Sequence, residues 1–168
     1  LGFFAAGEKS LLIRGIGPSL APFGVTGTLA DPRLRVIGSS SNELAANDDW
    51  SLAANAANVA STSTAVGAFA LATGSKDSAL LITLPTGSYT AQITGPGTTT
   101  GIALAEIYDA QPKQTAYRLM NASARAQVGV GGSILIAGFT LSGNLPTKVL
   151  TVSYTHLTLP TISLCRSR

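Results

Sequence analysis

With 168 residues, 45% of them hydrophobic and 11% charged, the chain has enough apolar material for one domain with a buried core. Its formal charge of +3 rests partly on the last residues: setting aside Arg166 and Arg168 leaves nine basic residues against eight acidic ones, a balance that calls for neither nucleic acid nor a membrane surface. The apolar residues are mainly Ala, Val, Leu and Ile, diluted by 18 Gly and many Ser and Thr, which favours short strands and tight turns over long helices.

The start, Leu1-Gly2-Phe3-Phe4-Ala5-Ala6, has neither an initiator Met nor the basic flank of a signal peptide, and is expected to be a cut within a longer chain. No apolar run reaches the roughly 18 residues of a membrane span. Strand signals then recur between turn residues. Lys9–Ile16 is a β-rich run ended by Gly17-Pro18. Arg33–Ile37 alternates charged and apolar residues after the turn Asp31-Pro32. The Ala-rich, Asn-punctuated stretch Ser51–Gly67 is expected to form one or two short helical turns.

Ala79–Leu84 is an apolar run closed by Pro85-Thr86-Gly87. Ser88–Thr94 alternates, with Tyr89, Ala91 and Ile93 on one face and Thr90, Gln92 and Thr94 on the other. Gly101–Tyr108 and Ser133–Leu141 complete the set. The expected fold class is all-β: a two-layer antiparallel β-sandwich, jelly-roll-like, whose helical excursion covers an edge or end.

A partial internal repeat is present. Gly2-Phe3, Gly7 and Lys9-Ser10-Leu11-Leu12 have counterparts in Gly138-Phe139, Gly143 and Thr147-Lys148-Val149-Leu150. Residues 1–150 are therefore expected to hold one sandwich module and the start of a second copy at about 137–150. The stretch Val152–Thr161, VSYTHLTLPT, resembles residue for residue the in-frame translation of a transposon adapter used in preparing sequencing libraries. Residues 151–168 are accordingly expected to be a non-native tail on a truncated environmental gene. His156 and Cys165, the single His and Cys of the chain, fall inside it. Without them, Ser-His-Asp, Cys-His and His-based metal chemistries have no candidates, and cysteine usage fixes no redox compartment.

Asn47-Asp48-Asp49-Trp50 is the most polar cluster. Adjacent carboxylates on a loop repel unless a cation or donors neutralise them, and Ca²⁺ prefers such hard oxygens, so Asp48 and Asp49, with Asp77 if the fold brings it near, are candidate calcium ligands. The competing and favoured reading is a solvated turn in which Asn47 or Asp49 caps the Ala-rich turn. Trp50 is a candidate stacking platform for a sugar, against the commoner role of a core plug. Gly15-Ile16-Gly17-Pro18-Ser19-Leu20 superficially resembles the opening of a dinucleotide loop, but it lacks the third glycine, and Pro18 and Pro22 argue against the following helix; turn geometry is the better reading.

Arg14 is expected to contact a partner or to pair with Glu106 or another acid. Glu106 and Asp109 lie on opposite faces of their strand and make poor catalytic partners. Asn121-Ala122-Ser123 fits a glycosylation sequon.

The segments Asn47-Asp48-Asp49, Asp77-Ser78-Ala79-Leu80, Leu84-Pro85-Thr86-Gly87-Ser88-Tyr89-Thr90 and Gly101-Ile102-Ala103-Leu104 together resemble the pre-peptidase C-terminal domain family, whose pattern is an Asn-Asp-Asp turn, an apolar strand, a Pro-Gly-x-Tyr corner and a closing strand. The likeness spans roughly Asp31 to Asp109 and implies a jelly-roll-like sandwich appended to secreted bacterial proteins, in some cases binding calcium. The flanks, Leu11–Leu20 and Ala122–Phe139, look more like repeats of very large exported bacterial proteins. The Ala-rich insertion between Asp49 and Asp77 departs from the family pattern. The resulting expectation is a non-catalytic structural or adhesive repeat module, secreted or at the cell surface. Its partners would be neighbouring repeats in the same chain and a surface glycan or protein. The alternative is a calcium-dependent carbohydrate-binding module on a secreted enzyme.

Overall fold

The computed structural model describes residues 1–111, the backbone of 118–123, and Gly138. All the elements below belong to the compact unit Leu1–Ala126. The expected strand Ser133–Leu141, the second repeat copy and the tail at 151–168 lie outside the described residues, Gly138 apart.

The unit is an antiparallel sandwich. One sheet has five strands in the order β4 (Glu43–Asn47), β3 (Arg33–Gly38), β6 (Gly87–Thr94), β1 (Gly2–Ala6) and β8 (Arg118–Ser123). The other has three: β5 (Ser78–Leu84), β2 (Lys9–Ile16) and β7 (Leu104–Asp109). Between them lies a core of Phe3, Ala5, Leu11, Ile13, Leu34, Val36, Leu84, Tyr89 and Ala91. Strands β1, β2, β3 and β6 each supply alternate residues to this core, which is why Tyr89 and Ala91 are buried while Thr90 and Gln92 are exposed.

The chain crosses between the sheets at two short corners. Gly7-Glu8 joins β1 to β2, and Pro85-Thr86 joins β5 to β6. Gly7 has a φ of +88°, a conformation that L side chains rarely adopt. Its N–H donates to Thr86 Oγ1 at 2.8 Å, tying one corner to the other. The Tyr89 hydroxyl reaches back to donate to the Pro85 carbonyl at 2.8 Å, fixing the second corner.

The helical excursion is longer than the sequence leads one to expect, and it sits elsewhere. Helix α1 runs over Ala56–Ala65, nearly three turns. It lies not at an edge or end but across the outer face of the three-stranded sheet, where Leu12, Trp50, Val59 and Ala79 form a second apolar cluster. The reason is the pleat of β2: Leu11 and Ile13 face the inter-sheet core, so Leu12 on the opposite face needs its own cover. The helix closes with Gly67 at φ +77°, the Gly67 and Ala68 N–H groups donating to the Thr64 and Ser63 carbonyls, which is a Schellman ending. Within it, the Ser63 hydroxyl donates to the Val59 carbonyl, and the Thr64 hydroxyl to the Ala60 carbonyl. Polar side chains in an Ala-rich helix are thereby satisfied internally.

Strands β1, β4 and β8 are additional to those expected. β4, Glu-Leu-Ala-Ala-Asn, has no strand alternation and forms because β3 offers it an edge, with Leu34 opposite Asn47 and Val36 opposite Ala45. Strand β7 begins at Leu104 rather than Gly101 because Ile102 is held first by a parallel bridge to Thr28. Gly101 there packs so tightly that an added Cβ would stand 2.5 Å from the Leu29 nitrogen.

Candidate functional site

The polar residues singled out in the sequence gather on the outer side of the three-stranded sheet and at its end. Arg14 on β2 and Glu106 on β7 are directly opposite in register. Arg14 is fully buried, and its Nε donates to Glu106 Oε2 at 2.8 Å with Nη2 2.7 Å from the same oxygen; the latter contact is ionic, its angle lying outside hydrogen-bonding geometry. The other carboxylate oxygen, Oε1, accepts from the Tyr108 hydroxyl at 2.9 Å.

Arg14 Nη1 donates to the Phe69 carbonyl at 2.6 Å, and the guanidinium lies 4.5 Å from the centroid of the Phe69 ring, a cation–π contact. The segment after α1 is thus clamped onto the sheet. Burial and the neighbouring Glu106 charge push the Tyr108 hydroxyl up to about 12.

Asp109, on the opposite face of β7, pairs with Lys9, whose Nζ is 2.9 Å from Asp109 Oδ2 and donates to the Gln111 carbonyl at 3.1 Å. The two acids therefore serve two separate pairs, as their odd spacing dictates.

Asp77 is fully buried. Its Oδ1 accepts from the backbone N–H groups of Gly17 and Ser19 at 2.8 and 3.3 Å, and its Oδ2 from the Ser19 hydroxyl at 2.5 Å. Those donors open the short 3₁₀ helix Pro18–Phe23. A loop whose backbone N–H groups resemble an anion cradle is here filled by a carboxylate of the same chain. Gly17 is needed for the approach: a Cβ there would meet the Leu29 carbonyl oxygen at 2.0 Å.

Asn47 and Asp49 do not cap the Ala-rich segment, contrary to the turn reading. No side chain caps α1, and Asp49, at the cap of the short 3₁₀ turn Trp50–Leu52, makes no side-chain bond to it. Asn47 bridges instead, accepting from the Ala79 N–H at 3.0 Å and donating to the Asp49 carbonyl at 3.3 Å. The Trp50 N–H donates to the Asp77 carbonyl at 2.9 Å. These bonds staple the start of the excursion to the first residues of β5.

Asp49 forms a 2.9 Å ion pair with Lys76, and Asp48 is exposed. Lys76 is raised from its usual value by its bond to Asp49 and by the charges of Asp49, Asp31 and Asp48. Among the described residues, no group of three or more His, Cys, Asp or Glu side chains is arranged to hold a metal ion, so Asp48, Asp49 and Asp77 are not brought together as one ligand set. Trp50 is 7% exposed, packed against Leu12, Val59 and Ala79, and its indole N–H donates toward the Ala72 carbonyl and Ser75 hydroxyl at 3.2 and 3.3 Å. It is a core plug with its polar tip satisfied.

Reasoning from sequence missed Phe69, Tyr108 and Ser19, the partners that complete these clusters. Long sequence separations hide them: Arg14 and Phe69 are 55 positions apart, and Ser19 and Asp77 are 58. No helix of the described residues is long and apolar enough to cross a membrane. No family model matches the chain, and neither does a curated protein or a solved structure.

Proposed function

We propose that the chain is a non-catalytic structural or adhesive repeat module of an exported bacterial protein, working outside the cell or at its surface beside neighbouring repeats of the same chain. The observation that carries this reading is the use made of its ionisable side chains. Arg14, Glu106, Asp77, Lys9 and Asp109 are each tied to another side chain or to backbone, so the groups from which a reaction would be built serve as internal fasteners.

The likeness of Asn47–Asp49 and Leu84–Thr90 to pre-peptidase C-terminal domains supports the exported setting, and the counterparts of Gly2–Leu12 at Gly138–Leu150 support the repeat. The sandwich agrees with both without distinguishing them, since one architecture hosts many functions.

The test is incubation of the chain with peptide, ester and glycoside substrates while product is followed over time. The expected result is no release above the rate without protein. Saturable, protein-dependent product formation would overturn the proposal.

A further inference from the structure

The five-stranded sheet carries a groove, partly polar in its lining, that the fasteners leave unused. It has a volume of about 330 Å³ and runs between the β3–β4 hairpin and β6, its lining mixing Ile37 and Tyr89 with the polar side chains of Ser41, Ser88, Thr90 and Gln92. On β6 the hydroxyl and amide side chains alternate with buried Tyr89 and Ala91, so the pleat itself turns them outward. Phe4 on β1 is opposite Ser88 in register and alternates with buried Phe3 and Ala5, which places an aromatic residue on the same face.

The charge beside the groove is unbalanced. Arg33 and Arg35 both approach a single acid, Glu43, at 3.8 and 3.7 Å. Arg35 is opposite Gln92 in register and donates through Nη2 to Gln92 Oε1 at 2.5 Å, and its Nε–H, buried as an atom, has no acceptor. Two guanidiniums against one carboxylate leave one positive charge beside the hydroxyl side chains of β6.

We propose that this groove binds a strand of anionic polysaccharide whose carboxylates are those of uronic acids, with Arg35 taking a carboxylate and Ser88, Thr90 and Gln92 exchanging hydrogen bonds with ring hydroxyls. Hydroxyl and amide walls match a ligand that presents hydroxyls along its length, and the surplus guanidinium selects an acidic sugar over a neutral one. A nucleic acid would call for a broader basic surface than two neighbouring guanidiniums supply. The proposal deepens the adhesive part of the function proposed above and rests on that reading for its extracellular setting. It places sugar binding on the sheet face, far in role from the buried Trp50.

The test is affinity electrophoresis of the full chain through gels containing polygalacturonate, alginate, a neutral β-glucan or polyglutamate. The expected result is retardation by the two uronate polymers and by neither control. R35Q should weaken that retardation about tenfold, the loss of one charge-assisted contact, and Ser88→Trp, at an exposed position, should abolish it by filling the groove. Both variants should melt at the wild-type temperature, showing that the fold is intact. Free migration in both uronate gels would overturn the groove while leaving the non-catalytic module standing, and so would equal retardation by polyglutamate or unchanged binding by R35Q. Retention accompanied by shortening of the polymer would keep the groove and overturn the non-catalytic reading.

Discussion

Glu106→Leu isolates the largest fastener in the module. Arg14 is 0% exposed and Glu106 17%, so removing the carboxylate strands a guanidinium in a site with little water. Breaking a buried pair from one side costs roughly 3–5 kcal/mol. The lower end applies here, because the Phe69 carbonyl and ring still contact the guanidinium and Glu106 is partly hydrated. About 3 kcal/mol corresponds to a fall of roughly 10 °C in melting temperature for a unit of this size.

The double variant Arg14→Leu/Glu106→Leu removes both charges and should return to within about 1 kcal/mol of wild type, since paired apolar residues replace buried ion pairs at little cost. Urea denaturation of the three proteins measures all of this. A single variant within about 1 kcal/mol of wild type, or a double variant less stable than the single, would refute the reasoning that the pair is buried and mutually dependent.

Two further outcomes follow from the same geometry. Tyr108 loses its proton less readily in the folded chain, at about 12 against the usual 10, because of burial and the Glu106 charge; its contribution to stability is full below pH 10 and is lost as pH rises toward 12. Tyr108→Phe should flatten that fall in melts recorded against pH, and a residual slope should persist from Tyr89, also raised by burial. Gly17→Ala drives a methyl into the Leu29 carbonyl oxygen and should cost more than ~2 kcal/mol by urea denaturation, whereas Gly67→Ala meets no atom within 4 Å and should cost only about 1 kcal/mol for its left-handed backbone.

Strands whose alternation is driven by burial were legible in the sequence. β6 is the clearest, since Tyr89, Ala91 and Ile93 face inward and Thr90 and Gln92 outward, and β2, β3 and β5 fall within one residue of the expected limits. β4 was not legible, because Glu-Leu-Ala-Ala-Asn has neither strand propensity nor alternation and depends on its neighbour. The helix was recognised by its alanines but undersized, because its length is set by packing of Val59 against Leu12 and Trp50.

The site was legible residue by residue rather than as a whole. Asp77 is the instructive case. Its sequence neighbourhood reads as a loop acid awaiting a cation, yet three donors from Gly17 and Ser19, with no cue in the intervening chain, turn it into a buried cap. The partners of a buried charge are a tertiary property, and periodicity carries no information about them.

The role assigned to these carboxylates is open to one direct check: thermal unfolding of the chain with millimolar Ca²⁺ and, separately, with excess chelator. If Asp77 is a cap, Asp49 the partner of Lys76 and the module a structural or adhesive repeat, the two melts should coincide within about 1 °C. A midpoint that climbs with calcium concentration would contradict this, and would make Asp48, Asp49 and Asp77 ligands of a metal ion instead of fasteners of the fold.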